Sequence, residues 1–287
     1  MSQIGKKYNR HEALRPSTDS SEAREAEEAD AEDIAVHHVI SKSRNTPVSL
    51  FNFVQTNSKD PAMKVGQFSR FVAPTKLELV TSLQDFISKL RDHLLGRVRG
   101  RDFDGDTHQS FSDDEINSIR IRNNTIYRLS TLRVNYTTYD MRRDFDTVNP
   151  KTHPFIMVPS PETEQGAHSF WYAAVLGIFH ADVQHVGNES RDFRFKRMEF
   201  LWVRWLGVVP GHTFGKRQAK LPKIGFLPDS DEFAFGFLDP SHVIRGCHLI
   251  PSFVDGKTQD LLITDSGVSL GRIGTEKDDW TIYTVGM

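Results

Sequence analysis

The sequence predicts a mainly β domain with minor α content: a small β-barrel that one amphipathic helix covers, preceded by a disordered acidic segment. Three observations predict this. Apolar runs of strand length, rich in β-branched and aromatic residues, alternate with clusters of Gly, Pro, Asp and Ser between residues 168 and 251. An apolar stripe with helical spacing precedes them, and the first 60 residues are poor in aromatic side chains. The three clearest runs are WYAAVLGIFH, MEFLWVRWLG and HVIRGCHLIP.

The first two runs are apolar on both strand faces, so both faces of the sheet need cover. Strict alternation sends Trp202 to one face and Trp205 to the other. In the run before them, it places Phe179 on the same face as Val175 and puts Ile178 opposite. Such strands are typical of a closed or helix-covered sheet. The C-terminal run WTIYTV is predicted to add an edge strand.

Residues 75–96 are predicted to form the covering helix. Thr75 and Glu78 have the spacing of a capping box, and Gly96 or Gly100 ends the pattern. We therefore expect a disordered acidic tail over residues 1–60, the covering helix and connecting loops over 61–115, and a barrel domain with long loops over 116–287. The apolar stripe of the helix consists of Leu77, Val80, Leu83, Ile87, Leu90 and Leu94.

Composition limits the class of protein. The chain has 287 residues and a formal net charge of -2, and its single cysteine, Cys247, excludes an intramolecular disulfide and a zinc site made of cysteines. No apolar run approaches the roughly 20 residues that span a bilayer. We expect a soluble protein of the nucleus or cytoplasm without a membrane partner.

Catalytic motifs are missing from the sequence. It contains no GxSxG elbow and no phosphate-binding glycine loop, so no catalytic residue, metal ligand or cofactor is predicted. The triplet Asp102, Asp104 and Asp106 resembles the start of a calcium loop but lacks the glycine and the glutamate at the later positions. These residues with Asp146 leave an alternative open: a metal-dependent nuclease or an accessory enzyme of transposition.

Two groups of residues are candidates for binding. Exposed aromatic side chains of Trp171, Tyr172 and Trp205 are candidates for a peptide site or a methyl-lysine cage, although large aromatics more often fill a core. A basic stretch predicts contact with nucleic-acid phosphates, and its ordinary alternative is a solvated loop. Its candidates are Arg194, Lys196, Arg197, Lys216, Arg217, Lys220 and Lys223.

Residues 88–285 resemble a region of proteins that DNA transposons of mushroom-forming fungi (basidiomycetes) encode. The resemblance implies a transposon-derived gene and names no activity. It rests on the segments KLRDHLLGRVRGRDFDGD, IRNNTIYR, LRVNYTTYDMRRDFDTVNPKTHP, WYAAVLGIFH, MEFLWVRWLG and GFLPDSDEFAFGFLDPSHVIRGCHLIPSF.

A weaker similarity links three of the strands to the bromo-adjacent homology (BAH) domain, a β module of chromatin proteins. It implies a BAH-like or SH3-like barrel core and a non-catalytic reader or docking surface in the nucleus, which would bind chromatin proteins or nucleic acid. The matching residues are Val175, Ile178 and Phe179 in the first strand, Val203, Arg204 and Trp205 in the second, and Ile244, Gly246 and Cys247 in the third.

Overall fold

A computed structural model describes most of the chain after residue 36. The described residues are 37–40, 46–63, 78–101, 103, 111–162, 168–187, 190, 192–212, 214, 220–264, 268–274 and 276–286, with the backbone alone for 78–85. They contain three α-helices: α1 (Leu50–Asn57), α2 (Glu78–Val98) and α3 (Asp113–Ile116).

Strands dominate the described residues, which confirms a mainly β fold with minor α content. The first eight are β1 (His38–Ile40), β2 (Thr46–Ser49), β3 (Ile119–Ile121), β4 (Thr125–Leu129), β5 (Leu132–Thr137), β6 (Arg143–Val148), β7 (Phe155–Pro159) and β8 (Phe170–His185). The others are β9 (Lys196–Val208), β10 (Lys223–Phe226), β11 (Phe235–Leu238), β12 (Arg245–Gly246), β13 (His248–Pro251), β14 (Lys257–Thr258), β15 (Asp279–Trp280) and β16 (Tyr283–Gly286).

The long antiparallel hairpin of β8 and β9 is the centre of the fold. Its register shifts between Val175 and Gly177, which marks a β-bulge. A Cβ atom on Gly177 would lie 2.3 Å from Cε2 of Phe179, so only glycine fits beside this ring. The bulge places Ile178 in one core with Val175 and turns Phe179 into another. The predicted shared face of Phe179 and Val175 is therefore wrong, because the extra residue reverses the alternation.

Shorter strands extend this hairpin on both sides. β7 pairs with the first half of β8, and β4 and β3 follow one another along its second half. On the far side, β9 pairs with β11 and then with β10. Strands β1, β5 and β6 form a separate three-stranded sheet, and β14 pairs with β15.

The C-terminal strand lies inside the main sheet. β16 pairs with β10 on one side and with β13 on the other, so the predicted edge strand is wrong. β12 and β13 are separated by one residue, Cys247, whose backbone N–H donates to Phe155 O at 3.0 Å. The segment 245–251 thus pairs with β7 through its first half and with β16 through its second.

Part of the predicted acidic tail is folded. β2 pairs with β4, and α1 buries Leu50 and Val54 in the core. The N-cap of α1 is Ser49, whose Oγ accepts from the Asn52 backbone N–H at 3.5 Å. The predicted boundary at residue 60 is therefore wrong for residues 46–57, while residues 1–36 lie outside the described residues.

Helix α2 confirms the predicted covering helix. Its Phe86, Leu90 and Leu94 are fully buried and pack in one core with Trp202 and the ring of Phe237. Thr75, the predicted cap, lies outside the described residues. Helix α1 shares the covering role because it contributes to the same core.

The hairpin of β8 and β9 contributes to three cores. The helical core lies under α1 and α2 and contains Phe179 and Trp202; the second core contains Val175 and Trp205. This separation confirms that Trp202 and Trp205 lie on opposite faces. The third core contains Tyr172 and is enclosed by β7, β10, β16 and the segment 245–251; its other members include Ala174, Leu206, Ile224, Phe226, Tyr283 and Val285.

A buried ion pair attaches the C-terminal segment to β9. The guanidinium of Arg204 is fully buried and donates two hydrogen bonds to the Asp279 carboxylate, at 2.9 and 3.0 Å. It also donates to the carbonyl oxygens of Gly271 and Leu261, at 3.2 and 3.3 Å. The ring of Phe226 lies 4.1 Å from the guanidinium carbon. This bidentate geometry compensates the buried charge.

Candidate functional site

A pocket of about 570 Å³ lies where β8 begins and β9 ends. It is concave and predominantly aromatic, which is typical of a site for a small ligand or a single side chain. The residues that follow β9 form one wall. The lining includes Glu162, His168, Phe170, Trp171, Tyr172, Trp205, His212, Phe214, Leu227 and Phe233.

Two tryptophans on neighbouring strands form the floor of the pocket. The Trp171 and Trp205 ring centroids lie 5.8 Å apart at 77°, an edge-to-face contact. Phe103 packs against both, with centroid distances of 6.4 and 6.5 Å. Because Trp205 is only 5% exposed, its indole is fixed by packing before any ligand arrives.

Backbone hydrogen bonds hold a turn beside Trp205. The N–H of Trp205 donates to Ala234 O at 2.9 Å, and its carbonyl accepts from the Leu227 N–H at 3.1 Å. Residues 228–233 therefore form a turn whose two flanking residues are hydrogen-bonded to the backbone of Trp205. This geometry places Phe233, at 38% exposure, in the lining.

The polar side chains of the pocket are few. His168 Nε2 lies 2.9 Å from the Tyr172 hydroxyl oxygen, and the His168 ring contacts Phe214 edge-on at 4.8 Å. Burial lowers the pKa of His168, and the Glu162 carboxylate acts in the opposite direction. Burial also raises the pKa of Tyr172 to about 12. Both groups are therefore uncharged at neutral pH, and Glu162 gives the lining a negative charge.

The structure brings the three predicted peptide-binding residues together. Trp171, Tyr172 and Trp205 all line the pocket, although Tyr172 and Trp205 are mostly buried and present only part of their surface. Sequence reasoning missed Glu162, and it missed Phe233 because the fold, with no local pattern, brings this residue beside Trp205.

The described members of the predicted nucleic-acid-binding set lie at the two ends of β9. Arg194 and Lys196 both pair with Asp192, at 3.1 and 3.2 Å. These residues precede or open β9, whereas Lys223 opens β10 beside the other end of β9, roughly 40 Å away along the strand.

The other described basic candidates differ in their partners. Arg197 pairs with Glu199 at 3.1 Å, and Lys223 lies 4.0 Å from Asp255. Lys220 is exposed next to β10. Lys216 and Arg217 lie outside the described residues.

The structure describes only one of the four acidic residues of the nuclease alternative. Asp146 accepts from the Arg245 side chain at 3.2 Å and from the Gly246 N–H at 3.1 Å, which gives it a structural role. Asp102, Asp104 and Asp106 lie outside the described residues. Within the ranges that the structure describes, no group of three His, Cys, Asp or Glu residues is placed to hold a metal ion.

The single cysteine is not activated. Cys247 is half-buried, and burial raises the pKa of its thiol to about 12, so it is a neutral thiol at physiological pH. It packs beside the third core, between β12 and β13.

Comparison of the chain with protein-family models, with curated protein sequences and with solved structures finds no match. In the described part of the chain, each helix is too short or too polar to cross a lipid bilayer.

Proposed function

We propose that the chain is a non-catalytic binding module that receives a cationic side chain of a protein partner in its aromatic pocket. The observation that carries this proposal is the pocket itself, where the rings of Trp171, Trp205, Phe214 and Phe233 adjoin one carboxylate, Glu162. Aromatic faces attract cations, and the attraction increases when water is excluded. Aromatic rings beside a carboxylate suit a methylated ammonium such as methyl-lysine, which is less strongly hydrated than a free ammonium.

The sheet topology supports a module of the BAH-like or SH3-like barrel type. We infer that β7, β8, β9, β10, β16 and the segment 245–251 act as one small barrel around the third core. The support is the double pairing of the segment 245–251, with β7 through one half and with β16 through the other. Such a module suits docking to chromatin proteins. The resemblance to proteins of fungal transposons concerns the origin of the gene and names no ligand.

Titration with tetramethylammonium tests the proposal. We expect tetramethylammonium chloride to change the tryptophan fluorescence of the full chain saturably at millimolar concentrations, with sodium chloride giving no comparable change. Removing an aromatic face should weaken this binding about threefold, since a cation–π contact at a partly exposed site contributes about 0.5–1 kcal/mol. Phe233→Ala is the informative variant because its side chain is 38% exposed and its loss spares the core.

The matched control is Phe253→Ala. Phe253 is 76% exposed and contacts Trp280, away from the pocket lining. Its affinity for tetramethylammonium should equal that of the wild type. Equal affinity in both variants and the wild type would place the bound cation elsewhere, and the absence of saturable binding would overturn the proposal.

Cation binding should weaken as the solution becomes acidic. The lowered pKa of His168 keeps the imidazole neutral at pH 7, so protonation at lower pH adds a positive charge to a pocket that holds a cation. We expect the affinity for tetramethylammonium to fall about threefold between about pH 7.5 and about pH 5. A His168→Gln/His212→Gln variant, which removes both imidazoles of the lining, should lose this dependence; an affinity that rises in acid would contradict it.

A further inference from the structure

A hydrogen-bonded acidic turn adjoins the pocket. It connects Leu227 to Phe233, which both line the pocket. The Asp231 N–H donates to Pro228 O at 2.9 Å, and the Ala234 N–H donates to Asp231 O at 3.1 Å. We call residues 229–232 the acidic turn, since Asp229, Asp231 and Glu232 lie within it.

Further hydrogen bonds fix two of these carboxylates. Asp231 Oδ1 accepts from the Phe233 N–H at 2.9 Å. Asp229 Oδ2 accepts from the Ile263 N–H at 3.1 Å, and the Asp229 N–H donates to Leu261 O at 3.0 Å. The carboxylates therefore hold defined positions beside Trp205, whose backbone is bonded to both ends of the turn.

In the described part of the chain, these carboxylates form no ion pair with a cationic side chain. Among the described residues, no Lys, Arg or His side chain forms an ion pair within 4.0 Å of Asp229, Asp231, Glu232 or Glu162. Asp192 near the other end of β9 differs, because it pairs with both Arg194 and Lys196. Glu162 in the lining and the three carboxylates of the adjoining turn create a negative potential that attracts basic ligands and repels phosphates.

We propose that the partner is a basic segment of a protein: one cationic side chain enters the aromatic pocket while neighbouring Lys or Arg side chains lie against the acidic turn. This inference rests on the proposed function and adds the sequence context that the pocket selects. The pocket recognises one side chain, and the acidic turn recognises its flanks. The same charge disfavours nucleic acid at this face.

Two synthetic peptides of equal length test the inference, each with one central trimethyllysine. One carries Lys and Arg on both flanks, and the other carries Ser and Gln. An exposed ion pair changes affinity by up to about fivefold, so several together should make the full chain prefer the basic peptide about tenfold at low salt. Raising the salt to about 1 M should reduce this preference to about twofold or less.

The variant Asp231→Asn/Glu232→Gln removes two charges and keeps an oxygen that can accept from the Phe233 N–H. We expect its preference for the basic peptide to fall to about threefold or less. Its affinity for tetramethylammonium should change less than about threefold, since the aromatic lining is intact. The control Asp113→Asn/Asp114→Asn makes the same charge change on α3, which adjoins the far end of β8, and should keep the tenfold preference.

The outcomes separate this inference from the proposed function. If tetramethylammonium binds but the Asp231→Asn/Glu232→Gln variant keeps the full peptide preference, the role of the acidic turn is overturned. The proposed function of the pocket is then unaffected. Failure of both tetramethylammonium and the peptides to bind would overturn the proposed function. Direct binding of a DNA duplex to the wild type that Phe233→Ala abolishes would also overturn the inference, because it would place phosphates beside the acidic turn.

Discussion

Replacing Asp279 by Ala is expected to lower the free energy of unfolding by about 3–5 kcal/mol. The substitution leaves the guanidinium of Arg204 fully buried without its carboxylate, in a site that water does not reach. The Arg272 guanidinium, also buried, lies 3.8 Å from the same carboxylate. Chemical denaturation followed by tryptophan fluorescence measures the loss, which should appear mainly as a lower midpoint.

Two comparison variants make this prediction specific. Asp278→Ala removes a partly exposed neighbouring carboxylate that accepts from the Gln259 side chain at 2.7 Å, and should change stability by less than about 1 kcal/mol. Arg204→Met/Asp279→Leu removes both charges and should be less destabilising than Asp279→Ala alone. A loss below about 1 kcal/mol for Asp279→Ala would contradict the buried pair.

The second large effect is expected at the interface between helix α2 and the sheet. Phe86→Ala should lower the free energy of unfolding by about 3–5 kcal/mol, because it leaves a cavity among fixed aromatic rings. The Phe86 ring lies 5.1 Å from Phe237 and 5.6 Å from Trp202, edge-to-face in both contacts. Its side chain is fully buried, so the whole transfer contribution is lost.

Phe51→Ala is the matched control for Phe86→Ala. Phe51 lies on α1, which contributes to the same core, but it is 53% exposed. Its loss should cost less than about 1 kcal/mol. Similar midpoints for the two variants in urea would show that α2 contributes little to stability and would contradict its role as a covering layer.

The strands and the covering helix were predictable because each carries a local signal. The stripe that includes Leu90 and Leu94 has the helical period, and the alternation of Leu132 and Val134 has the strand period. Both signals depend on residues a few positions apart. The folded part of the predicted tail lacked such a signal, since β2 and α1 are stabilised by pairing with β4 and by burial under α2.

The bulge at Gly177 was not predictable from periodicity. Alternation counts every residue, whereas the bulge inserts one that the partner strand does not match, and each later side chain changes face. The position of β16 was missed for a related reason. Its partners are β10 and β13, and no rule of composition says which distant strands will pair.

The sequence predicted the tryptophans of the candidate site but not the residues that loops contribute to it. Trp171 and Trp205 lie on adjacent strands that the sequence identified. Pairing of these strands in a hairpin is enough to bring the two side chains close together. Glu162 and Phe233 reach the pocket from loops whose paths depend on the whole fold. The described basic candidates lie at opposite ends of one long strand, which their closeness in sequence does not indicate.

The hairpin of β8 and β9 contributes residues to all three cores. The candidate pocket on this hairpin therefore depends on the cooperative stability of the whole fold. The pocket floor cannot loosen without disturbing β8 and β9, and these strands belong to every core. Backbone hydrogen bonds to Trp205 hold both flanks of the acidic turn, and these bonds do not depend on the side chains within the turn. Substitutions can therefore change the charge of the turn while the backbone that positions the pocket stays the same.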